Sequence, residues 1–241
     1  MDPLFRVVEI SATPFPQRTC WAAMHTDYAE EFVGTQADKW PDEEAAGQAL
    51  VKHLLAGERG HYGPLEHAQI VLNVGWFPHS VMQQARTHRV GVSFDVQSGR
   101  YTGQRICKVA TGELQPNEVF YLRPPGEYRD RQGKRYMYED FERDFDLAEC
   151  VLAARRYDAK IRDGFAEEHA RGMIPFDIRQ HFVVSFSLRA LMHFLDLRAK
   201  ADAQLEIQQL CELMMPHFRA WAPEVAAWYE KTRWGKARLA P

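Results

Sequence analysis

The chain has 241 residues, enough for one large domain with a substantial core and short for two. Hydrophobic residues at 46% and charged residues at 26% are ordinary for a globular protein, and a net charge of −3 excludes a generally basic nucleic-acid coat. Any anion site must therefore be a local cluster of Arg and His. Cys20, Cys107, Cys150 and Cys211 lie far apart and form no CxxC, so neither a disulfide framework nor a thiolate zinc site is implied. The expectation is free thiols in a reducing cytoplasm. No apolar run approaches the roughly 18 residues of a membrane span. The start, MDPLFRVVEIS, lacks the basic and long apolar regions of a signal peptide.

In chain order, Leu4 to Ile10 alternates as a strand, and SATPFPQ reads as a loop because of its two prolines. Asp42 to Gly57 predicts a helix: Ala46, Leu50, Val51 and Leu54 share a face, Asp42 suits its start and Gly57 its stop. HYGP is a turn, Ala68 to Val74 a strand, and Pro78 opens a helix to about Arg89. Gly91 to Gly103 reads as a polar loop and Glu118 to Arg123 as a strand. Arg123 to Lys134 reads as a mobile excursion. The spacing of Tyr138, Phe141, Phe145, Leu152 and Tyr157 predicts a long helix from Tyr136 to about Asp163. A short helix follows over Glu167 to Arg171, then a strand over Ile178 to Phe186. Three helices complete the chain: Leu188 to Lys200, Asp202 to Met215 and Ala222 to Lys231. Strands and helices do not alternate as βαβ units, which favours an α+β fold in a single domain over residues 1–241.

The densest polar constellation is Gln83, Gln84, Ala85, Arg86, Thr87, His88 and Arg89, followed by Ser93, Asp95, Gln97, Ser98, Gly99, Arg100 and Tyr101. Arginine forks suit phosphate, and Ser98-Gly99 lets backbone N–H groups approach an anion. The plain alternative is a solvated helix end, where cations complement the macrodipole. A second cluster, His61, Glu66 and His67, invites a metal reading, but Gly63 and Pro64 interrupt the one-turn helical spacing of zinc motifs. A third runs from Ser187 to Arg198. Arg189 and His193 share a helix face there, beside a stripe of Leu188, Leu191, Met192 and Leu195. Neither a dinucleotide fingerprint nor a P-loop is present.

These residues resemble the flavin-dependent thymidylate synthases. That family carries Arg-His-Arg, seven or eight residues, then Ser; here Thr87-His88-Arg89 is followed by eight residues and Ser98-Gly99-Arg100-Tyr101. GHYGPLEH (Gly60 to His67) precedes it. Ala170-Arg171-Gly-Met-Ile-Pro, RALMHFLDLR (Arg189 to Arg198) and AQLEIQQ (Ala203 to Gln209) follow in the family's order. The resemblance implies a mostly antiparallel sheet flanked by helices, with long helices in the C-terminal half. It also implies a homotetramer with active sites between subunits. The implied reaction is conversion of dUMP to dTMP using FAD, NADPH and 5,10-methylenetetrahydrofolate. Carried over by position, Arg198 would bind uracil and serve as the catalytic electrostatic group. Gln83, Gln84, Ala85, Arg86, Gln97, Ser98, Gly99, Arg100 and Arg171 would contact dUMP. Gly63, Arg86, His88, Arg89, Ser187, Leu188, Arg189 and His193 would contact FAD. No metal is implied.

The chain departs from the family at three places. Thr87 stands where Arg is usual, with Arg86 beside it. Val96-Gln97 replaces a common Glu-Leu pair, and Ser187 stands where Asn is frequent. No cysteine lies in the cationic setting of an activated thiolate, so activation of the uracil is expected to be electrostatic. Two rival classes are a non-catalytic RNA- or nucleotide-binding module built on the Arg/His cluster and a metal-dependent hydrolase built on His61, Glu66 and His67.

Overall fold

Capping chemistry sets several of the helix boundaries. The computed structural model describes residues 1–57, 60–130 and 132–236. Strand β1 (Arg6–Ala12) leads to α1 (Pro16–Thr26), which begins at Pro16 because proline has no N–H to leave unsatisfied at a helix start. The Glu43 carboxylate accepts from the backbone N–H groups of Gln17 (2.7 Å) and Arg18 (3.0 Å). Helix α2 (Glu43–Leu50) starts at Asp42, whose side chain accepts from the Ala45 amide, and continues as a π-helical turn over Val51–Leu55. Two 3-10 helices flank this pair, Val33–Lys39 and Gly63–Glu66.

Strand β2 (Gln69–Pro78) buries Ile70, Leu72 and Val74 at every second position, the period of a pleated strand. That count fails at Trp76, a non-glycine residue at φ +65°, after which Phe77 is buried. Pro78 closes the strand, and α3 (His79–Ala85) follows with the Asp177 carboxylate accepting from the Ser80 amide at 3.0 Å. Then come β3 (Val92–Val96), α4 (Gln104–Thr111), α5 (Pro116–Val119) and the antiparallel hairpin of β4 (Gly126–Arg129) and β5 (Arg135–Tyr138). The remaining elements are α6 (Asp140–Arg162), α7 (Glu167–Ala170), a 3-10 turn (Arg171–Met173), β6 (Arg179–Ser187), α8 (Leu188–Arg198), α9 (Leu205–Trp221) and α10 (Pro223–Thr232).

The class is α+β with antiparallel sheets, and the long helices α6 and α9 lie in the second half of the chain, as expected. The larger sheet has the order β1-β2-β6-β3. Contacts divide the chain into two units, and β2, β3 and β6 each run from one into the other. The first unit comprises Met1–Phe5, Gly75–Ala85 and Asp95–Phe182. Its core gathers Ile106, Val109, Phe120, Cys150, Ala154 and Tyr157 from α4, α6 and the segment after α5. The second comprises Arg6–Val74, Arg86–Phe94 and Val183–Pro241. There a fully buried Gln17 ties three helices: its Oε1 accepts from the amides of Glu224 and Val225 at the start of α10, and its Nε2 donates to the Glu43 carbonyl in α2.

Several boundaries differ from those the sequence suggests. SATPFPQ is a loop only from Thr13 to Phe15, since Ser11 and Ala12 finish β1 and Pro16 opens α1. Helix α3 starts after Pro78 and stops at Ala85, short of Arg89. The polar stretch Gly91 to Gly103 contains β3. Glu118 to Arg123 is not a strand: Pro116 favours a helical turn, and Glu118 closes it by accepting from the Gln115 amide at 2.8 Å. The Arg123 to Lys134 excursion and the predicted helix start at Tyr136 form one hairpin, with Arg131 outside the described residues. Helix α6 begins only where Glu142 accepts from the Glu139 amide. On α6, Tyr157 is buried as its spacing requires, but Phe141 and Phe145 are each 67% exposed.

Candidate functional site

In the first unit a cavity of about 480 Å³ is walled by His79, Gln83, Gly99, Arg105, Arg171 and Gln180, among others. That volume suits a small-molecule ligand. One hydrogen-bonded line crosses the wall. The Gln83 amide donates to His79 Nε2 (2.7 Å), His79 Nδ1 donates to Gln180 Oε1 (2.6 Å), and Gln180 Nε2 donates to the Gln97 carbonyl (3.4 Å). A single tautomer, with the imidazole proton on Nδ1, satisfies every link. Phe176 packs edge-on against the His79 ring at 5.1 Å. Ser98 opens a tight turn: its hydroxyl accepts from the Arg100 amide at 3.3 Å and its carbonyl from the Tyr101 and Thr102 amides. Gly99 lies beside the Arg171 side chain, and Arg100 pairs with Glu168 at 3.7 Å.

In the second unit, helix α8 presents Arg189, His193 and Arg198, while the segment before β3 presents Thr87 and His88. Arg198 Nε donates to His88 Nε2 at 3.0 Å, and Arg198 Nη2 donates to the Thr87 hydroxyl at 2.8 Å. The His88 ring meets His193 edge-on at 5.2 Å and packs on Phe194 at 4.9 Å. Burial, together with the Arg198 cation and His193, brings His88 down to about 4. His88 is therefore a neutral acceptor at neutral pH, with its proton on Nδ1. That Nδ1, like His193 Nδ1, is buried with no hydrogen-bond partner among the described residues, an arrangement suited to a ligand bearing hydrogen-bonding groups.

The lowered His88 value has a thermodynamic consequence. Between about pH 6.5 and about 4 the unfolded chain takes up a proton on this residue that the folded chain does not. Stability is therefore full above that window and falls as pH drops through it. Urea unfolding midpoints at pH 7.5, 6 and 4.5 are expected to decline, with a shallower decline in His88→Gln. Equal slopes in the two proteins would remove His88 as the cause.

Ser187 caps α8 by accepting from the Ala190 amide (3.1 Å) and donates to Glu66 Oε2 (2.5 Å), while Glu66 Oε1 faces Arg189 at 3.4 Å. Gly91, at φ +66°, closes over this knot: a Cβ there would come within 2.5 Å of Ser187 Oγ and 2.8 Å of Glu66 Oε2. Gly91→Ala is expected to cost about 1–3 kcal/mol from the backbone conformation alone. A thermal unfolding midpoint equal to that of the parent would contradict this.

A family model described as thymidylate synthase complementing protein matches residues 9–224. A flavin-dependent thymidylate synthase of Haloarcula marismortui is 34% identical over 96% of this chain and 98% of its own length. The chain belongs to the flavin-dependent thymidylate synthase family. The family member of Halobacterium salinarum is 31% identical over 98% of this chain and all of its own length. Among solved structures, a UMP/dUMP methylase from Streptomyces cacaoi bound with 5-Br dUMP is similar in fold, with a TM-score of 0.70 and 22% identity. It covers 98% of this chain and 97% of its own. Thymidylate Synthase X from Helicobacter pylori, solved with FAD and dUMP, gives a TM-score of 0.67 at 19% identity over 94% and 98% of the two chains.

Within this family member the two expected residue sets fall differently. Gln83, Gln84, Ala85, Gln97, Ser98, Gly99, Arg100 and Arg171 lie in the first unit. Gly63, Arg86, His88, Arg89, Ser187, Leu188, Arg189, His193 and Arg198 lie in the second. Gln83, Gly99 and Arg171 meet at the cavity; His88 and Arg198 meet directly. Ala85 and Leu188 are buried as whole residues. Arg86 and Arg89 are exposed, and Gly63 has open space where a side chain would be.

Two departures from the family pattern gain a physical account. Thr87 offers a hydroxyl acceptor to Arg198, and Ser187 supplies a helix cap. Nothing in the structure explains Val96. Residue types and spacing alone do not single out His79, Gln180 and Arg105. The four-residue spacing of His79 and Gln83 at the start of a helix is the one available signal for the first. The His61–Glu66–His67 cluster is not brought together as ligands: His61 pairs with Asp27 at 2.6 Å and Glu66 is engaged by Ser187 and Arg189. Among the described residues no group of three metal-ligating side chains exists.

Proposed function

We propose that this protein converts dUMP to dTMP, taking the one-carbon unit from 5,10-methylenetetrahydrofolate and reducing equivalents from NADPH by way of FAD. The observation that carries this reading is the Arg198–His88 hydrogen bond, because it joins the residue expected at uracil to a residue expected at flavin. Bound FAD supplies hydride to the reduction. Gln83, Gln84, Ala85, Arg86, Gln97, Ser98, Gly99, Arg100 and Arg171 hold the nucleotide. Gly63, Arg86, His88, Arg89, Ser187, Leu188, Arg189 and His193 hold the flavin, where the two unpartnered imidazole nitrogens suit such a ligand.

Arg198 then stabilises negative charge developing on the uracil ring. His88 and Thr87 hold the guanidinium in one orientation, and the neutral state of His88 leaves that cation unopposed. Covalent activation by cysteine is disfavoured. Burial pushes Cys20 up to about 12 and Cys150 up to about 11, and it raises Cys107 and Cys211 as well. None is a thiolate at neutral pH.

The reading treats residues 1–241 as one catalytic domain, supported by a family match that draws on both units. It also makes the protein a homotetramer, supported by Met137, Phe141 and Phe145 standing exposed on β5 and α6. Light scattering that returned a monomer mass would overturn that part. A cytoplasmic setting is supported by four free cysteines, and no described helix is long and apolar enough to cross a membrane. The deciding experiment is the visible spectrum of purified protein with dUMP before and after anaerobic NADPH. A flavin band that NADPH bleaches, followed by dTMP formation on adding the folate, is expected. Colourless protein that cannot be loaded with FAD would overturn the reading.

A further inference from the structure

We propose that Arg105 is a second guanidinium of the nucleotide site, placed to meet the 5′-phosphate of the substrate in the cavity it shares with Gln83 and Gly99; the proposal rests on the dUMP reading above. Arg105 is the second residue of α4, half-buried, and forms part of the cavity wall together with Gly103 and Ile106 from the same helix start. Its Nε and Nη1 are both shut off from solvent, and among the described residues neither has a hydrogen-bond partner. Burial lowers its value to about 10. A desolvated cation without an acceptor is unfavourable unless something else supplies the negative charge.

The same unit shows how this chain treats a buried arginine that belongs only to the fold. Arg179 donates to the Asn117 carbonyl (2.8 Å), the Trp76 carbonyl (3.1 Å) and the Asp2 carboxylate (2.7 Å), and its guanidinium lies over the Tyr121 ring. Every nitrogen of that fork is used. Arg105 Nε and Nη1 have no such partners among the described residues, and the space beside Arg105 is a cavity that already carries Arg171. The one carboxylate on the wall, Glu168, pairs with Arg100. The local balance is therefore cationic, and the start of α4 adds the positive end of a helix dipole. A phosphate monoester is the ligand chemistry that answers two guanidinia and a helix N-terminus together.

The test compares the parent holoenzyme with Arg105→Met and Arg105→Lys by calorimetric titration of dUMP, deoxyuridine and inorganic phosphate. Thermal unfolding of each ligand-free protein is measured in parallel. Arg105→Met is expected to weaken dUMP about ten- to a hundredfold, to leave deoxyuridine unchanged, and to abolish competition by phosphate. Arg105→Lys should retain part of the dUMP affinity. The ligand-free Met variant should unfold at a temperature equal to or above that of the parent, since it removes an uncompensated cation; this separates a binding role from a structural one. Unchanged dUMP affinity in the Met variant, or equal loss for dUMP and deoxyuridine, overturns the assignment of Arg105 while leaving the dUMP reading in place. A parent that binds phosphate in an Arg105-dependent way but not dUMP overturns the dUMP reading and keeps the anion site. A parent that binds neither overturns both.

Discussion

Arg198→Ala is expected to reduce dTMP formation by about two to three powers of ten, the usual consequence of removing a group that stabilises developing charge. The structure also changes what should accompany that loss. Arg198 Nε is the donor to His88 Nε2, and the Arg198 cation is one of the reasons His88 stays neutral. Removing the guanidinium leaves a buried imidazole acceptor without its partner and eases its protonation. Some weakening of flavin retention should therefore follow, smaller than the loss of turnover. Arg198→Lys keeps the charge but cannot present Nε to His88 and Nη2 to Thr87 at once, so it should rescue little activity. Turnover and flavin absorbance per protomer, measured on the same preparations, check both statements. Parent-like turnover in Arg198→Ala would falsify the catalytic assignment.

Asp196→Ala is expected to lower the free energy of unfolding by about 3–5 kcal/mol, read from urea unfolding at neutral pH. Asp196 is 1% exposed and sits on α8 between His193 and Arg198. It accepts from Tyr229 Oη at 3.0 Å and from Arg233 through both Nε and Nη2. Burial pushes its carboxyl up, while Arg233 and Tyr229 pull it back toward the ionised form. Truncating it strands the Arg233 charge and the Tyr229 hydroxyl in the core, and an unpaired buried charge is the costly outcome. Replacing both Asp196 and Arg233 with apolar residues should recover much of the loss, because the pair then disappears together. A single variant as stable as the parent would show that water reaches Arg233.

The two predictions differ in how far the sequence alone supports them. Arg198, His88 and Ser98 stand in contiguous segments whose residue types and spacing carry the family pattern, so their candidacy is legible in the sequence itself. Asp196–Arg233 is not, because nothing local links a residue of α8 to one just beyond α10. The same holds for His79 with Gln180, which are 101 residues apart and joined only by folding. Helices with an apolar stripe and a capping residue, such as α2 and α8, announce themselves with boundaries good to a few residues. The mismatches have specific causes. Pro16 and Pro116 look like breakers when each opens a helix, and β3 is hidden in a polar stretch because its residues are only partly buried. Phe141 and Phe145 suggest a core face on α6, yet both are exposed within one chain. Apolar spacing marks a face that burial would favour, and within this chain that face stays in solvent.

The left-handed residue in β2 bears on how this chain can change over evolutionary time. A strand is a binary counter: odd positions face one way and even positions the other. Trp76 resets the counter, so Phe77, not Trp76, continues the buried series of Ile70, Leu72 and Val74. The tryptophan is then free to lie edge-on to His181 and to offer its carbonyl to Arg179, two residues before that strand delivers the chain to Pro78 and His79. Loss of one residue here would invert the parity of everything between it and α3, whereas loss of two would preserve it. When related chains are laid side by side, a gap of one at this point is therefore a change of face, and a gap of two is only a change of length.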